Sequence, residues 1–148
     1  MEDTLAILKE YDFPASQLWI EITERCRDLP ISMIKKTVTA FREAGIHITM
    51  DDYGTGSSSS QMMLELPVEG VKIDMFFVKD ILEEKKKQAL VIGMINFANA
   101  ADLKICIEGI ENDSLESYLR QFDVTCFQGY HYSRSICQDE LMKLLIKP

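Results

Sequence analysis

The sequence predicts an α/β fold built on about five parallel strands with flanking helices. Short apolar runs alternate with helical patterns along the 148 residues, and each run has a polar residue at or near its carboxyl end. Strands that alternate with helices form parallel sheets with helical crossovers. No long linker or low-complexity segment interrupts the pattern, so residues 1–148 are expected to form one domain or part of a larger one.

The elements follow in order along the chain. Apolar residues at helical spacing, such as Ile34, Val38 and Phe41, predict helices, and Gly45 and Pro67 are expected to end two of them. Helices are predicted at residues 2–11, 32–44, 58–66, 80–101, 113–122 and 138–146, and Asp113 or Ser114 is the expected cap of the fifth. Strands are predicted at residues 18–24, 46–52, 71–74, 103–108 and 125–128.

The composition excludes several classes of function. The 24 acidic and 16 basic residues give a net charge of −8, which disfavours binding to a nucleic-acid backbone, so no DNA partner is expected. The longest apolar stretch, residues 89–101, is too short for a membrane span, which takes about 20 residues. The acidic amino terminus lacks the features of a signal peptide. The four cysteines have no CxxC spacing and are expected to be reduced, mostly buried thiols of a cytoplasmic protein.

Polar residues at the strand ends carry the chemistry. Side chains alternate between the two faces of a strand, so each predicted strand has one apolar face and one face that bears a polar group. These groups are Glu21, Asp51, Lys72, Glu108 and Gln128. The carboxyl ends of parallel strands form the usual site of such folds. The four carboxylates there, which include Asp52, would repel one another, and Mg²⁺ or Mn²⁺ would resolve that conflict because both prefer oxygen ligands. Lys72 is then a candidate proton handler or anion clamp.

Each of these residues also has a simpler interpretation. Asp51-Asp52 is typical of a turn, Lys72 of an edge strand and Glu108 of a helix cap. His47 and His131 are interpreted as structural. A phospho-receiver also uses an acidic pair, an Asp and a Lys, but it places the acidic pair on the first strand, whereas here the pair is on the second. The simpler interpretations weaken together, because the polar positions fall at the same end of successive strands.

Five short motifs occur in a fixed order along the chain. They are Glu21-Ile-Thr-Glu24, Asp51-Asp-Tyr-Gly-Thr-Gly56, Val71-Lys-Ile-Asp74, Ile107-Glu-Gly-Ile-Glu111 and Gln128-Gly-Tyr130. Over residues 18–133 the sequence resembles the EAL domains, which are the cyclic di-GMP phosphodiesterases of bacterial signalling. Each motif alone is weak evidence, but five in order at compatible spacing are strong evidence. The resemblance implies a TIM-type (β/α) barrel variant, of which this chain is the C-terminal portion and lacks the first strands.

The resemblance also implies two-metal hydrolysis of cyclic di-GMP to linear pGpG. Glu21 would bind one Mg²⁺ or Mn²⁺ ion, Asp51 would bridge both ions and Asp52 would bind the second. Two metal ions lower the pKa of water and neutralise the phosphate, as phosphodiester hydrolysis requires.

The remaining matched residues would assist that reaction. Lys72 would orient or deprotonate the attacking water, Glu108 would hold water at the metal site and Gln128 would support the same network. The implied loop-supporting residues are Glu24, Gly54, Thr55 and Gly56, and the candidate substrate contacts are Asp74 and Tyr130.

The chain also departs from the family pattern. It contains no Glu-Ala-Leu tripeptide, and a helix precedes residue 18 where the family has a strand with an Asn ligand. Ser57, Met75 and Ser135 stand where the family usually has an aromatic residue, Arg and Pro. We therefore expect weak metal binding and weak or no turnover by this chain. We also expect a homodimer or other association through exposed sheet edges, and an upstream sensory or GGDEF domain in the parent protein. The alternative is a catalytically degenerate EAL fragment that acts as a regulatory, interaction or nucleotide-binding module.

Overall fold

The computed structural model describes residues 2–23, 29–55 and 59–146. Its centre is one sheet of five parallel strands in the order β1-β2-β3-β4-β5, so each strand lies beside the next one along the chain. The strands are β1 Trp19–Ile22, β2 His47–Tyr53, β3 Gly70–Ile73, β4 Lys104–Ile107 and β5 Cys126–Phe127. The helices are α1 Glu2–Glu10, α2 Ile31–Glu43, α3 Ser59–Glu65, α4 Met75–Val78, α5 Lys85–Ala100, α6 Asp113–Leu119 and α7 Gln138–Leu145. The predicted fold class is confirmed, and within the described residues β1 and β5 do not pair to close a barrel.

The two faces of the sheet differ as the alternation of side chains predicts. One face packs under the helices and holds the core, and its completely buried residues include Ile48, Met50, Ile73 and Ile107. Thr49, Lys72 and Cys106 each stand one position from such a residue on the same strand, face the other side and line a cavity. The core face therefore stabilises the fold, because burial of a large aliphatic side chain contributes about 1.5–3 kcal/mol to the free energy of unfolding. The other face is available for chemistry.

Helix α2 ends where the sequence predicts, at Gly45. Gly45 has a φ of +85°, its N–H donates to the Arg42 carbonyl, and the Ile46 N–H donates to the Phe41 carbonyl. These two bonds form a Schellman motif, which needs a left-handed residue and so favours glycine. The turn feeds the chain directly into β2, the strand that carries the acidic pair.

The predicted helix at residues 80–101 is wrong at its start. The structure has a short helix α4 directly after β3, and the Asp74 side chain caps it by accepting the N–H of Phe76 at 2.8 Å. Asp80 has a φ of +60°, which a continuous helix does not allow, and α5 begins only at Lys85. The Asp74 cap therefore starts helix α4 directly after β3, and the left-handed conformation of Asp80 separates α4 from α5.

The predicted cap and end of the fifth helix are also wrong. Asn112 is the N-cap of α6, because its side chain accepts the N–H of Leu115 at 3.0 Å, and the helix ends at Leu119 rather than at residue 122. An Asx side chain caps the N–H three residues ahead, so the cap lies one position before the helix. No helix in the described part of the chain has the length and apolar character that a membrane span needs.

Candidate active site

The ammonium group of Lys72 is the centre of an ionic cluster at the strand ends. Its Nζ lies 2.8 Å from Glu108 Oε1, 3.0 Å from Glu21 Oε1 and 3.2 Å from Asp51 Oδ1. The four residues come from β1, β2, β3 and the segment that follows β4, as the parallel topology requires. The predicted convergence of these side chains is therefore present in the structure.

Lys72 is the most buried member of this cluster. Only 9% of its side chain is exposed, against 48% for Glu21. Burial lowers the pKa of Lys72, but the contacts with Glu108, Glu21 and Asp51 outweigh that effect and raise the pKa above its ordinary value. Lys72 is thus a fixed cation among carboxylates that together carry the larger charge.

The carboxylates beside Lys72 have the composition of a site for hard cations. Oxygens of Asp51, Asp52 and Glu108 lie within 4.8 Å of one another. Asp51 Oδ1 is buried and accepts no well-formed hydrogen bond from the described residues, although it forms an ion pair with Lys72. Three carboxylates share the single positive charge of Lys72, so negative charge remains uncompensated there, and a divalent cation would offset it. The residues present therefore fit Mg²⁺ or Mn²⁺, which take oxygen ligands.

The end of β2 holds Asp52 in an unusual conformation. Asp52 has a φ of +54° and Gly54 a φ of +94°, and the Thr55 hydroxyl donates to the Asp52 carbonyl at 2.9 Å. The supporting roles of Gly54 and Thr55 stay predictions. Glu24 and Gly56, which were predicted to support the same loop, lie outside the described residues.

Gln128 lies at the end of β5 and lines the cavity. Its backbone bridges two segments, because its N–H donates to the Ile107 carbonyl and its carbonyl accepts the N–H of Ile110. At Gly129, an added Cβ would lie 2.1 Å from the Ile110 carbonyl oxygen, so only glycine permits this approach of the two backbones. The close approach fixes Gln128 beside the segment that carries Glu108.

The two predicted substrate contacts differ in their surroundings. Tyr130 is 62% exposed, and the guanidinium of Arg134 lies 4.4 Å from the centroid of its ring. Asp74 has one carboxylate oxygen engaged in the cap of α4. Tyr130 is therefore open to a ligand on one side, whereas Asp74 already has a structural contact.

A cavity of about 370 Å³ lies beside the cluster, and of the predicted site residues it is lined by Glu21, Lys72 and Gln128. Sequence reasoning assigned Glu21, Lys72 and Gln128 to it but missed several further lining residues. These are Trp19, Thr49, Gly70, Val71, Lys104, Ile105, Cys106, Thr125 and Cys126. Most stand two or four positions from a predicted site residue, on the same strand face, so the period-two pattern could have identified them.

The prediction that the cysteines are mostly buried is wrong for the described ones. Cys106 is half-buried, and Cys126 and Cys137 are exposed; Cys26 lies outside the described residues. Cys126 is exposed because, among the described strands, β5 pairs with β4 alone, and because the Cys126 side chain faces the cavity. Burial and the neighbouring Cys126 thiol raise the pKa of Cys106 to about 12.

A second cluster of acidic residues and histidine lies outside the strand-end site. His131 Nε2 is 3.0 Å from Glu116 Oε2 and 3.5 Å from Asp113 Oδ1, and Arg120 also pairs with Glu116. His47 in turn pairs with Glu69 at 2.8 Å. Both histidines thus have acidic partners, and the ligand atoms of Asp113, Glu116 and His131 lie within 4.8 Å of one another. The interpretation of both histidines as structural residues stays a prediction.

Comparison with known proteins gives a consistent family. A model of the EAL domain family matches residues 1–135. The chain is 34% identical over 143 residues to the uncharacterized protein sll1895 of Synechocystis sp.. It is 28% identical over 141 residues to the cyclic di-GMP phosphodiesterase PA2567 of Pseudomonas aeruginosa, and 27% over 128 residues to the cyclic di-GMP phosphodiesterase PdeR of Escherichia coli. These alignments cover 95%, 95% and 86% of this chain but 20%, 24% and 19% of the relatives, so the chain spans about a fifth of their length.

Solved structures agree with the sequence comparison. The EAL domain of Mycobacterium smegmatis DcpA has a TM-score of 0.92 at 30% identity, over 97% of this chain and 65% of that chain. A complex of Klebsiella pneumoniae BlrP1 with manganese and cyclic di-GMP has a TM-score of 0.76 at 26% identity, over 83% of this chain and 31% of that chain. Both neighbours therefore share the fold described above.

Proposed function

The chain belongs to the EAL domain family, and from that premise we propose that its strand-end site serves a cyclic di-GMP-specific phosphodiesterase, which hydrolyses cyclic di-GMP to linear pGpG. The observation that carries this proposal is the convergence of Glu21, Asp51 and Glu108 on Lys72. Relatives named as cyclic di-GMP phosphodiesterases and a neighbour in complex with cyclic di-GMP support the choice of substrate.

In this proposal Glu21, Asp51 and Asp52 hold two Mg²⁺ or Mn²⁺ ions. The ions would supply Lewis-acid charge at the phosphate and lower the pKa of water at the site. The short distances among the carboxylate oxygens of Asp51, Asp52 and Glu108 support such a site, and the manganese in the BlrP1 neighbour supports the type of ion. Excess negative charge at the strand ends would otherwise repel a ligand with two phosphates.

The other polar residues act on the water and the substrate. Lys72 orients the attacking water, and its raised pKa supports an orienting cation rather than a general base. Glu108 accepts from the same water, and Gln128 holds the network from the neighbouring strand. Tyr130 offers an exposed aromatic face to a nucleobase. Asp74 is the second substrate contact, through the oxygen that does not cap α4.

Residues 1–148 form, in this proposal, the C-terminal portion of an EAL domain. In the described chain, the outer edges of β1 and β5 have no partner strand. Such open sheet edges favour association. We include in the proposal a homodimer or other association through these edges. An attached sensory or GGDEF domain belongs to the proposed parent protein.

A second candidate function is a regulatory or nucleotide-binding module without turnover. Ser57, Met75 and Ser135 favour it, because each departs from the family pattern inside the chain. In this reading the site binds cyclic di-GMP weakly and signals through association. Binding without hydrolysis would distinguish this module from an enzyme.

The test is hydrolysis of cyclic di-GMP with Mn²⁺ by the chain and two matched variants. Asp51→Asn removes a site carboxylate, and Asp113→Asn removes one from the second cluster. We expect slow formation of pGpG by the unaltered chain, a loss of roughly 100-fold in Asp51→Asn, and no change in Asp113→Asn. Binding of the nucleotide without any pGpG would favour the regulatory module, and equal rates in both variants would contradict the proposed site.

A further inference from the structure

Two cysteines lie side by side in the cavity. Cys106 of β4 and Cys126 of β5 are direct partners in the parallel register, and both line the cavity. Their thiols are close enough to influence each other by hydrogen bonding and charge. Both are free thiols in the structure. The two thiols therefore stand at paired positions of neighbouring strands, without a bond between them.

The strand geometry brings this pair close to the requirements of a disulfide. Neighbouring strands lie about 4.8 Å apart, within the range of about 4.4–6.8 Å that disulfides span between Cα atoms. In-register side chains on parallel strands point the same way, so their Cβ atoms are about as far apart as the strands. A disulfide needs a Cβ separation of about 3.5–4.5 Å, so closure must draw the strands slightly together. Within the described residues, strand β5 has two residues and one strand neighbour, which makes that movement possible.

The two thiols differ in their access to solvent. Cys126 is exposed, whereas Cys106 is half-buried beside Lys72 and Glu108. A dissolved oxidant therefore reaches Cys126 first, and Cys106 is placed to react with the product. A strained disulfide that faces an open cavity is also easily reduced, so the change is reversible.

We propose that Cys126 and Cys106 form a reversible dithiol–disulfide site that is oxidised by a peroxide. The Cys126 sulfur attacks one oxygen of hydrogen peroxide, and the O–O bond breaks. The departing hydroxide takes the Cys126 proton and leaves as water, so that a sulfenic acid remains on Cys126. The Cys106 sulfur then attacks the sulfenic sulfur, and the S–S bond forms as the S–O bond breaks. The released hydroxide takes the Cys106 proton and leaves as water. Two electrons pass from the two thiols to one peroxide.

The site has a consequence for the cavity that rests on the proposed function. Cys106 stands two residues before Glu108, and Cys126 two residues before Gln128. Drawing β4 and β5 together at the cysteines therefore displaces both of these side chains. The disulfide is expected to lower the rate of cyclic di-GMP hydrolysis by about 10-fold.

The bond itself is tested by mass spectrometry after treatment with hydrogen peroxide. We expect a linked Cys106–Cys126 peptide in the unaltered chain, two hydrogens lighter than the free peptides and separated again by dithiothreitol. The Cys137→Ser variant should form the same link, because Cys137 lies outside the cavity. In Cys106→Ser, the sulfenic acid on Cys126 should persist and react with dimedone. Absence of the link in the unaltered chain, or links only between separate chains, would overturn the proposal.

The effect on activity is a separate measurement on the same samples. The oxidised chain should hydrolyse cyclic di-GMP more slowly than the reduced chain, and dithiothreitol should restore the rate. Equal rates in linked and reduced chains would overturn the coupling of the disulfide to the site. A reduced chain without any hydrolysis would count against the proposed function alone, because the peptide link is read without an activity assay.

Discussion

Lys72 is the residue on which the charge balance of the site depends. It is nearly buried, and its ammonium group contacts carboxylates from β1, β2 and the segment after β4. Without it, at least three carboxylates would face one another at short range. In the absence of divalent cations, Lys72 therefore stabilises both the site and the fold around it.

The substitution Lys72→Met tests this role. It leaves the half-buried carboxylates of Asp51 and Glu108 without their cation, so we expect the free energy of unfolding in EDTA to fall by about 2 kcal/mol, less than for a fully buried pair. Added Mn²⁺ should recover more stability in Lys72→Met than in the unaltered chain, because the ions replace the lost charge. Urea denaturation with and without Mn²⁺ measures both effects.

Lys104→Met is the matched control for that experiment. Lys104 lines the same cavity, but its ammonium group lies over the Trp19 ring and not among the carboxylates. We expect less than about 1 kcal/mol of destabilisation and no added effect of Mn²⁺. Equal losses in the two variants would contradict a special role for Lys72.

Glu69 makes stability depend on pH at the other end of the strands. Burial raises its pKa, but the hydrogen bond with His47 and the charge of Arg42 outweigh that effect, so the pKa lies below its ordinary value. A depressed carboxyl pKa adds stability above the unfolded pKa, near 4.3, and this contribution is lost as pH falls through the folded pKa. Between pH 5 and pH 3, Glu69→Gln should therefore lose less stability than the unaltered chain. Urea midpoints across this range measure the difference, and the exposed Glu83→Gln should follow the unaltered chain. Parallel curves for all three proteins would rule out the contribution of Glu69.

At the scale of the elements, the backbone contact at Gly129 determines where β5 ends. Gly129→Ala would place a Cβ against the Ile110 backbone, so we expect a loss of at least about 2 kcal/mol and displacement of Gln128. Gly93→Ala is the matched control, because a Cβ there meets no atom within 4 Å and the residue lies inside α5. It should raise stability by about 0.5–1 kcal/mol. Urea denaturation of the two variants measures both changes in stability. A Gly129→Ala variant as stable as the unaltered chain would contradict the role of this backbone contact, because the end of β5 would then be able to adjust.

The strands could be predicted from the sequence because one face of each is apolar in strict alternation. Helix boundaries are harder to predict, since each depends on the side-chain hydrogen bond of one capping residue. Asp74 looked like the end of a strand, yet its side chain starts α4, and Asn112 rather than Asp113 caps α6. Positive φ at Asp80 broke a segment whose composition favours a continuous helix. Such choices depend on local hydrogen bonds that residue patterns do not specify.

At the scale of the whole molecule, the gathering of the site residues could be predicted because parallel strands end at one edge. The exposure of Cys126 could not be predicted from the sequence, since it depends on β5 being the outer strand of the described sheet. The roles of individual residues in hydrolysis remain predictions.

The exposed apolar surface of helix α7 also predicts self-association. Helix α7 is amphipathic, and its apolar residues Leu141, Leu144 and Leu145 are all exposed. Exposed apolar surface of this kind favours contact with another chain. Sedimentation velocity at about 100 μM chain should give a dimer or larger species that persists in 0.5 M NaCl, because burial of apolar surface resists salt, whereas contacts between surface charges weaken. A stable monomer under both conditions would contradict this expectation.

Titration of Mn²⁺ by calorimetry tests most directly whether carboxylates from separate strands share a cation site. We expect weak binding to the unaltered chain, loss of that binding in Asp51→Asn, and unchanged binding in Asp113→Asn. Binding that survives Asp51→Asn but disappears in Asp113→Asn would place the cation in the other cluster and contradict the site described here.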